Sequence, residues 1–305
     1  MSIFISIASY RDPELIPTIS SLINNADNPE LLRIVVFEQN GSEDVSVYGI
    51  HKQVQVITTH YSNAKGPTWA RSIIQKEYNN EEYYLQIDSH MRVIKHWDTI
   101  LKYILELVPK PAVLTQYPPE YKLEDGSFDT NIIRSGLYIQ GFGTIDGFTR
   151  IQSDIIDPIN KRHFPYTSKG WSACFSFSKG LIIKDAPYEP YEHLFFGEEL
   201  DITLRLFTRG YYFFSPHISV IFTLFKRIHR RTYWQDMLYN GREIERKKQE
   251  QISRKLLWTN IMKNINMGNI RTIKDYMEFA DIEDWGHLKK CAKSFRRNTK
   301  RVLNR

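Results

Sequence analysis

The sequence predicts an α/β fold on a mainly parallel sheet, and three observations point there. Short, nearly continuous apolar runs recur, the pattern of strands buried on both faces. Stretches with helical periodicity follow them. Helix-start signals, Asp12-Pro13 and Gly66-Pro67, mark where the chain changes period.

In order, Ile3–Ala8 reads as a strand and Pro13–Asn25 as a helix, with Asp12 as N-cap and Pro13 at the first helical position. Leu32–Glu38 is a second strand, and Asn40-Gly41 breaks the chain after it. Val54–Thr58 is a third strand, and Pro67–Tyr78 a helix opened by Gly66-Pro67. Tyr83–Ile87 is a fourth strand that ends in Asp88-Ser89-His90. His96–Val108 reads as helix and Ala112–Tyr117 as strand. This alternation is that of a layered α/β domain. Residues 118–170 are irregular and rich in Pro and Gly, a place for loops. Ser172–Ser178 alternates with period two, as a strand does. Glu198–Arg209 is a helix with Leu200, Leu204 and Phe207 on one face and Gly210 as C-cap. Tyr211–Phe214 and Ser219–Phe225 are strand-like, and charged helix takes over from Gly241.

Composition narrows the function classes. The 305 residues carry a net charge of +6 with 42% hydrophobic and 25% charged residues, an ordinary globular balance. The charge is unevenly placed. Residues 286–305 hold eight Lys and Arg and no acid; the remaining 33 basic residues stand against 35 acidic ones. The body is therefore near neutral, and no general nucleic-acid surface is implied. Two cysteines, Cys174 and Cys291, make no disulfide framework and read as free thiols of a reducing compartment. The N-terminus reads as a strand and not as a signal peptide, and no apolar run reaches the ~18–20 residues of a membrane span. A cytoplasmic protein is expected.

Three local signals carry candidate chemistry. Asp88-Ser89-His90 ends an apolar strand, where open α/β sheets bind ligands. A carboxylate and an imidazole two residues apart in an extended segment project to one side and suit a divalent cation that neutralises a diphosphate. A solvated strand end is the plainer alternative. Phe195-Phe196-Gly197-Glu198-Glu199 sets two rings and two carboxylates around a turn that opens a helix. The acids either satisfy the helix dipole or face a sugar and an acceptor hydroxyl, and the rings either pack in the core or wall a sugar site. Gly66-Pro67-Thr68-Trp69-Ala70-Arg71 places backbone N–H groups and a guanidinium at a helix start, for a phosphate or only as an ordinary helix start. No Gly-x-Ser-x-Gly, Walker A or Gly-x-Gly-x-x-Gly sequence occurs.

Taken together and in order, these segments resemble the family of the Skp1-type polypeptide N-acetylglucosaminyltransferases, which have the GT-A fold. The resemblance rests on Ser6–Glu14, Gly66-Pro67 with Ala70-Arg71, Leu85–Arg92 with Trp97-Asp98, Tyr117-Pro118-Pro119, Phe195–Glu199, Gly210–Pro216, Arg227-Ile228-His229-Arg230 and Arg271–Tyr276. It implies a Rossmann-like, mostly parallel sheet flanked by helices and a retaining transferase that uses UDP-GlcNAc and manganese (or magnesium). By the same resemblance, Ser9, Arg11 and Asp12 help to hold the uridine, with Gly66 and Arg71 at the helix start. Asp88 and His90 hold the metal, and Glu198 and Glu199 lie near the sugar and acceptor. One departure stands out. Where the family carries Val-x-x-His-Leu with a third metal ligand, this chain reads Val220-Ile221-Phe222-Thr223-Leu224. A hydroxyl is a poor manganese ligand, and His229 or water is the substitute.

The expectation is thus a GT-A catalytic domain over residues 1–240 and a helical C-terminal extension over 241–305 with a basic tail, 286–305. GlcNAc passes from UDP-GlcNAc to a hydroxyl of a protein or glycan acceptor. The alternatives are the same fold with another UDP-sugar, building a surface polysaccharide, and a non-catalytic sugar-nucleotide binder. The tail reads either as a basic amphipathic helix on the anionic face of a membrane or as a solvated helix packed on the domain.

Overall fold

The computed structural model describes residues 1–41, 51–144, 146–226 and 230–283. The basic tail, Cys291 and His229 therefore lie outside the described residues. The chain opens with β1 (Ile3–Ser9), α1 (Leu15–Asn25), β2 (Leu32–Gln39), β3 (Val54–Thr59), α2 (Pro67–Gln75) and β4 (Tyr83–Asp88). It continues with β5 (Met91–Val93), α3 (Trp97–Glu106), β6 (Ala112–Thr115), the hairpin β7 (Tyr138–Phe142) and β8 (Thr149–Gln152), and β9 (Tyr166–Ser168). Then come β10 (Phe175–Lys179), α4 (Ile182–Asp185), α5 (Glu198–Thr208), β11 (Tyr212–Ser215) and β12 (Ile221–Thr223). Three helices close the described chain: α6 (Tyr233–Tyr239), α7 (Glu243–Met262) and α8 (Ile273–Phe279).

Among the described residues the main sheet has eight strands in the order β3-β2-β1-β4-β10-β6-β11-β9. The β3-β2-β1-β4 block is parallel throughout, and β6 and β11 are parallel to each other. β10 runs antiparallel between β4 and β6, and β9 runs antiparallel at the edge. The expected alternation holds for the first half. The antiparallel insertion of β10 was not legible, because period-two patterning says that a strand exists and not which way it runs.

β1, β2 and β4 are apolar on both sides because both faces are covered. Ile3, Ile5, Ile7, Leu85 and Ile87 pack with Leu15, Leu22, Trp97 and Leu101 of α1 and α3. Phe4, Val35 and Tyr84 face the other core, which takes in α2, α5 and the C-terminal helices through Leu257, Trp258, Ile261 and Tyr276. The helix over 198–209 differs from its expected one-faced pattern. Every residue from Leu200 to Thr208 is buried, including Asp201 and Arg205. Later chain covers the side left free: Tyr276 of α8 meets Phe207 edge to face, and Trp258 of α7 stacks on Phe148 at 5.1 Å.

Strand order reverses between β1 and β4, so the carboxyl ends of β1, β2 and β4 open onto a crevice. Ala8 stands beside Asp88, and Ser9 beside Glu38. Because β10 is antiparallel, its leading residues Ala173 and Cys174 fall at that same end.

Candidate active site

A cavity of about 360 Å³ sits at this end of the sheet. Gly66, Arg71, Asp88, His90, Glu198 and Glu199, expected from the sequence as site residues, line it, as do Phe195 and Phe196 of the same turn. Ser9, Arg11 and Asp12 are not among the residues that line it. Ser9 is buried, and its carbonyl accepts from Gln39 at 2.9 Å. Arg11 pairs with Asp236 of α6 at 2.8 Å and lies over the Tyr61 ring.

Asp12 has a larger part than the N-cap expected of it. The helix begins at Leu15, and only Oδ1 acts in the turn, accepting the Glu14 N–H at 3.1 Å. Oδ2 accepts from Ser89 Oγ and lies against His90 Nδ1, both at 2.8 Å, with Arg230 Nη2 at 3.2 Å. Burial alone would raise Asp12, but the His90 hydrogen bond and the charges of His90 and Arg230 hold it well below the usual carboxylate range. An ionised Asp12 accepts a hydrogen bond from His90 Nδ1–H, and in the neutral ring this tautomer leaves the Nε2 lone pair available. Nε2 lies 3.8 Å from Asp88 Oδ2. One imidazole nitrogen and one carboxylate oxygen converge, oriented from behind by a carboxylate, and that donor set fits a divalent cation. Among the described residues no group of three or more His, Cys, Asp or Glu forms a complete metal cage. Thr223 is 2% exposed and pairs with Met91, one residue past His90. It is not among the residues lining the cavity.

The other wall is a chain of charges. Arg71 donates to Asp88 Oδ1 at 3.0 Å through one nitrogen and pairs with Glu198 Oε1 through another. Tyr188 OH also donates to Glu198 Oε1, at 3.0 Å. Glu198 is 3% exposed, and its Oε2 has no partner. Burial pushes Glu198 up, and Arg71 draws it partly back. Glu199 accepts the Ala173 N–H at 3.1 Å and Tyr117 OH at 3.4 Å. Burial pushes it up to about 7, with the neighbouring Glu198 charge adding to the shift and the Ala173 N–H opposing it.

Two glycines make this wall possible. Gly66 has φ +94°, and a Cβ there would stand 3.2 Å from the His193 backbone. Gly197 has φ +110°, and a Cβ there would press on the Phe148 ring at 2.8 Å. Both are conformations that side-chain-bearing residues rarely adopt.

The sequence did not single out Tyr117, Cys174, Tyr188 or Trp234 as site residues. Tyr117 ended an expected strand, and Cys174 lay inside one. Tyr188 and Trp234 carry no local signal. Burial pushes the Cys174 thiol up, away from the reactive thiolate.

Three comparisons bear on the fold and family. A family model described as "Glycosyltransferase (GlcNAc)" matches residues 2–52 and 45–285. A comparison with curated proteins finds no match. Among solved structures, "GalNAc-T7 with UDP, GalNAc and Mn2+" superposes with a TM-score of 0.60 at 14% identity, over 91% of this chain. The chain spans 56% of the length of that structure. "S. aureus TarS 1-349 in complex with UDP-GlcNAc" gives a TM-score of 0.48 at 12% identity, over 98% of this chain and 92% of that one. The architecture is that of the GT-A glycosyltransferases. The matched residues span the strand ends, the Arg71 helix and the Glu198–Glu199 turn, and the chain belongs to the glycosyltransferase (GlcNAc) family.

Proposed function

We propose that this chain is a metal-dependent retaining transferase that moves GlcNAc from UDP-GlcNAc to an acceptor hydroxyl, akin to the Skp1-type enzymes. The carrying observation is Glu198. Its carboxylate is buried against Arg71 and Tyr188, yet Oε2 is left without a partner in a residue that lines the cavity. Buried polar atoms are almost always hydrogen-bonded, so an orphaned oxygen beside Asp88 is an acceptor kept for a ligand hydroxyl. The UDP, GalNAc and Mn2+ of the GalNAc-T7 structure support a UDP-sugar and a cation as the ligands.

Asp88 Oδ2 and His90 Nε2 are the residues that would hold the cation. A divalent ion bound there supplies positive charge against the diphosphate of the leaving group. Asp12 keeps the His90 tautomer, and Arg71 fixes Asp88 from the far side. Glu198 orients the sugar by accepting one of its hydroxyls. The acceptor oxygen bonds to the anomeric carbon as the bond to the β-phosphate oxygen breaks. The electron pair leaves with UDP, and a phosphate oxygen takes the hydroxyl proton on the same face. Residues 1–240 serve as the catalytic unit in this reading, and α7 and α8 pack against it.

The test is UDP release from UDP-GlcNAc with manganese. Asp88→Ala should lower it by about 10³-fold, the scale of several kcal/mol of lost charge stabilisation. Equal rates would overturn the metal role. Thr223 favours a second reading, a binder without turnover. Tight UDP binding by the wild type with no UDP-GlcNAc cleavage, with or without acceptor, would establish that one.

A further inference from the structure

We propose that Phe196, Phe195 and Trp234 form the acceptor platform, and that the acceptor is a neutral saccharide seated by the apolar face of a pyranose ring. The proposal rests on the transferase reading and adds the acceptor class to it. All three rings line the catalytic cavity. They come from the loop before α5 and from α6, not from the strand ends that carry Asp88 and His90. Phe195 lies 4.9 Å from Trp234 and 6.3 Å from Phe196, centroid to centroid.

Phe196 is 48% exposed and stands with the half-buried Phe195 and Trp234 in the cavity lining, so the three rings form a patch and not a lone exposed residue. Phe196 is also held in place. The Arg150 guanidinium lies over it at 4.4 Å, and Arg246 lies over Trp234 at 4.5 Å. A ring braced on one side and open to solvent elsewhere is a pre-organised surface. Phe196 and Glu198 are two residues apart, at most about 7 Å of chain. A sugar stacked on Phe196 is therefore within reach of the Glu198–Glu199 turn, which lines the same cavity.

Charge decides between ligand classes. Arg150 is paired with Asp146 at 2.7 Å, and Arg246 with Glu250 at 2.6 Å. The cations at the lip carry their own counter-ions and are taken up in holding the rings. What remains for an acceptor is apolar ring surface beside the carboxylates of Glu198 and Glu199, which suits a pyranose with one apolar face and hydroxyls to donate.

The experiment offers two panels to the full chain with UDP and manganese: neutral methyl pyranosides, and peptides bearing serine, threonine or hydroxyproline. Binding is read by ligand-observed NMR. UDP-GlcNAc hydrolysis without acceptor is measured separately and reports the donor half. The expected result is pyranoside binding that Phe196→Ala weakens about five- to tenfold, the size of one aromatic contact, and that Phe196→Trp retains. Circular dichroism and thermal melting confirm that the variants fold. Pyranoside binding indifferent to Phe196→Ala, or contact with peptides alone, overturns the platform and leaves the donor reading standing. Phe196-dependent pyranoside binding with no donor hydrolysis or transfer upholds the platform and removes the transferase reading.

Discussion

The two walls of the cavity treat their carboxylates in opposite ways. On the strand-end wall, Asp12 is fully enclosed yet held strongly ionised, because Ser89, His90 and Arg230 all give it hydrogen bonds or positive charge. On the helix wall, Glu198 and Glu199 sit side by side at the start of α5, and burial wins over Arg71, so both are raised. Asp201, one turn on, is raised to about 6 in spite of Arg205. Burial alone does not set the state of an acid; the count of donors aimed at it does. The first wall holds its buried carboxylate ionised in a fixed geometry. The second keeps acceptor atoms in reserve, at the expense of stability.

The comparison breaks most visibly at Arg71, the one described side chain that bonds both Asp88 and Glu198. Arg71→Met should cost about 3–5 kcal/mol, since it leaves a buried carboxylate without its partner. Adding Glu198→Gln should recover much of that in a double-mutant cycle read by denaturant unfolding. Additive losses would show that Arg71 and Glu198 are not coupled.

On the opposite wall, Asp12→Asn should weaken manganese activation about 10–100-fold by releasing the His90 tautomer. Titrating activity against manganese checks this; an unchanged half-saturating concentration would remove Asp12 from the metal site.

Glu199 sharpens the contrast through pH. Its folded value, about 7, lies above the 4.5 of a free glutamate. Its protonated form therefore favours the fold, and that contribution is full below about pH 4.5 and lost as pH rises through 7. Glu199→Gln should flatten the fall in stability between those limits, measured as denaturation midpoints across pH. Asp12 has the reverse sign, and its contribution is lost only in acid, below its ordinary value of 3.8.

The smallest effect is expected at Tyr188→Phe. It removes one of the donors to Glu198 Oε1 and should cost about 1–2 kcal/mol, also by unfolding.

Much of the fold was readable because alternating apolar runs and helix-start signals are local. Asp88-Ser89-His90 at a strand end and the Phe195–Glu199 turn were readable for the same reason, since each is a contiguous run with its context beside it. The α5 surroundings were not. Leu200, Leu204 and Phe207 gave a one-faced helix, and only later chain, through Trp258 and Tyr276, shows why the other side is buried too. The Phe195–Phe196 pair was visible, but Trp234 joins it only in space, across a gap that no periodicity spans.

The sequence by itself determined the α/β class, the strand that delivers Asp88 and His90, and the glycine turn that delivers Glu198 and Glu199. Those follow from steric and periodic rules that act within a few residues. Tertiary structure alone decided that Asp12 orients a histidine 78 residues away, that Arg71 ties Asp88 to a glutamate 127 residues away, and that β10 enters the sheet reversed. Partners at that separation are chosen by which buried charges must find one another once the cores have closed, and no local pattern records that choice.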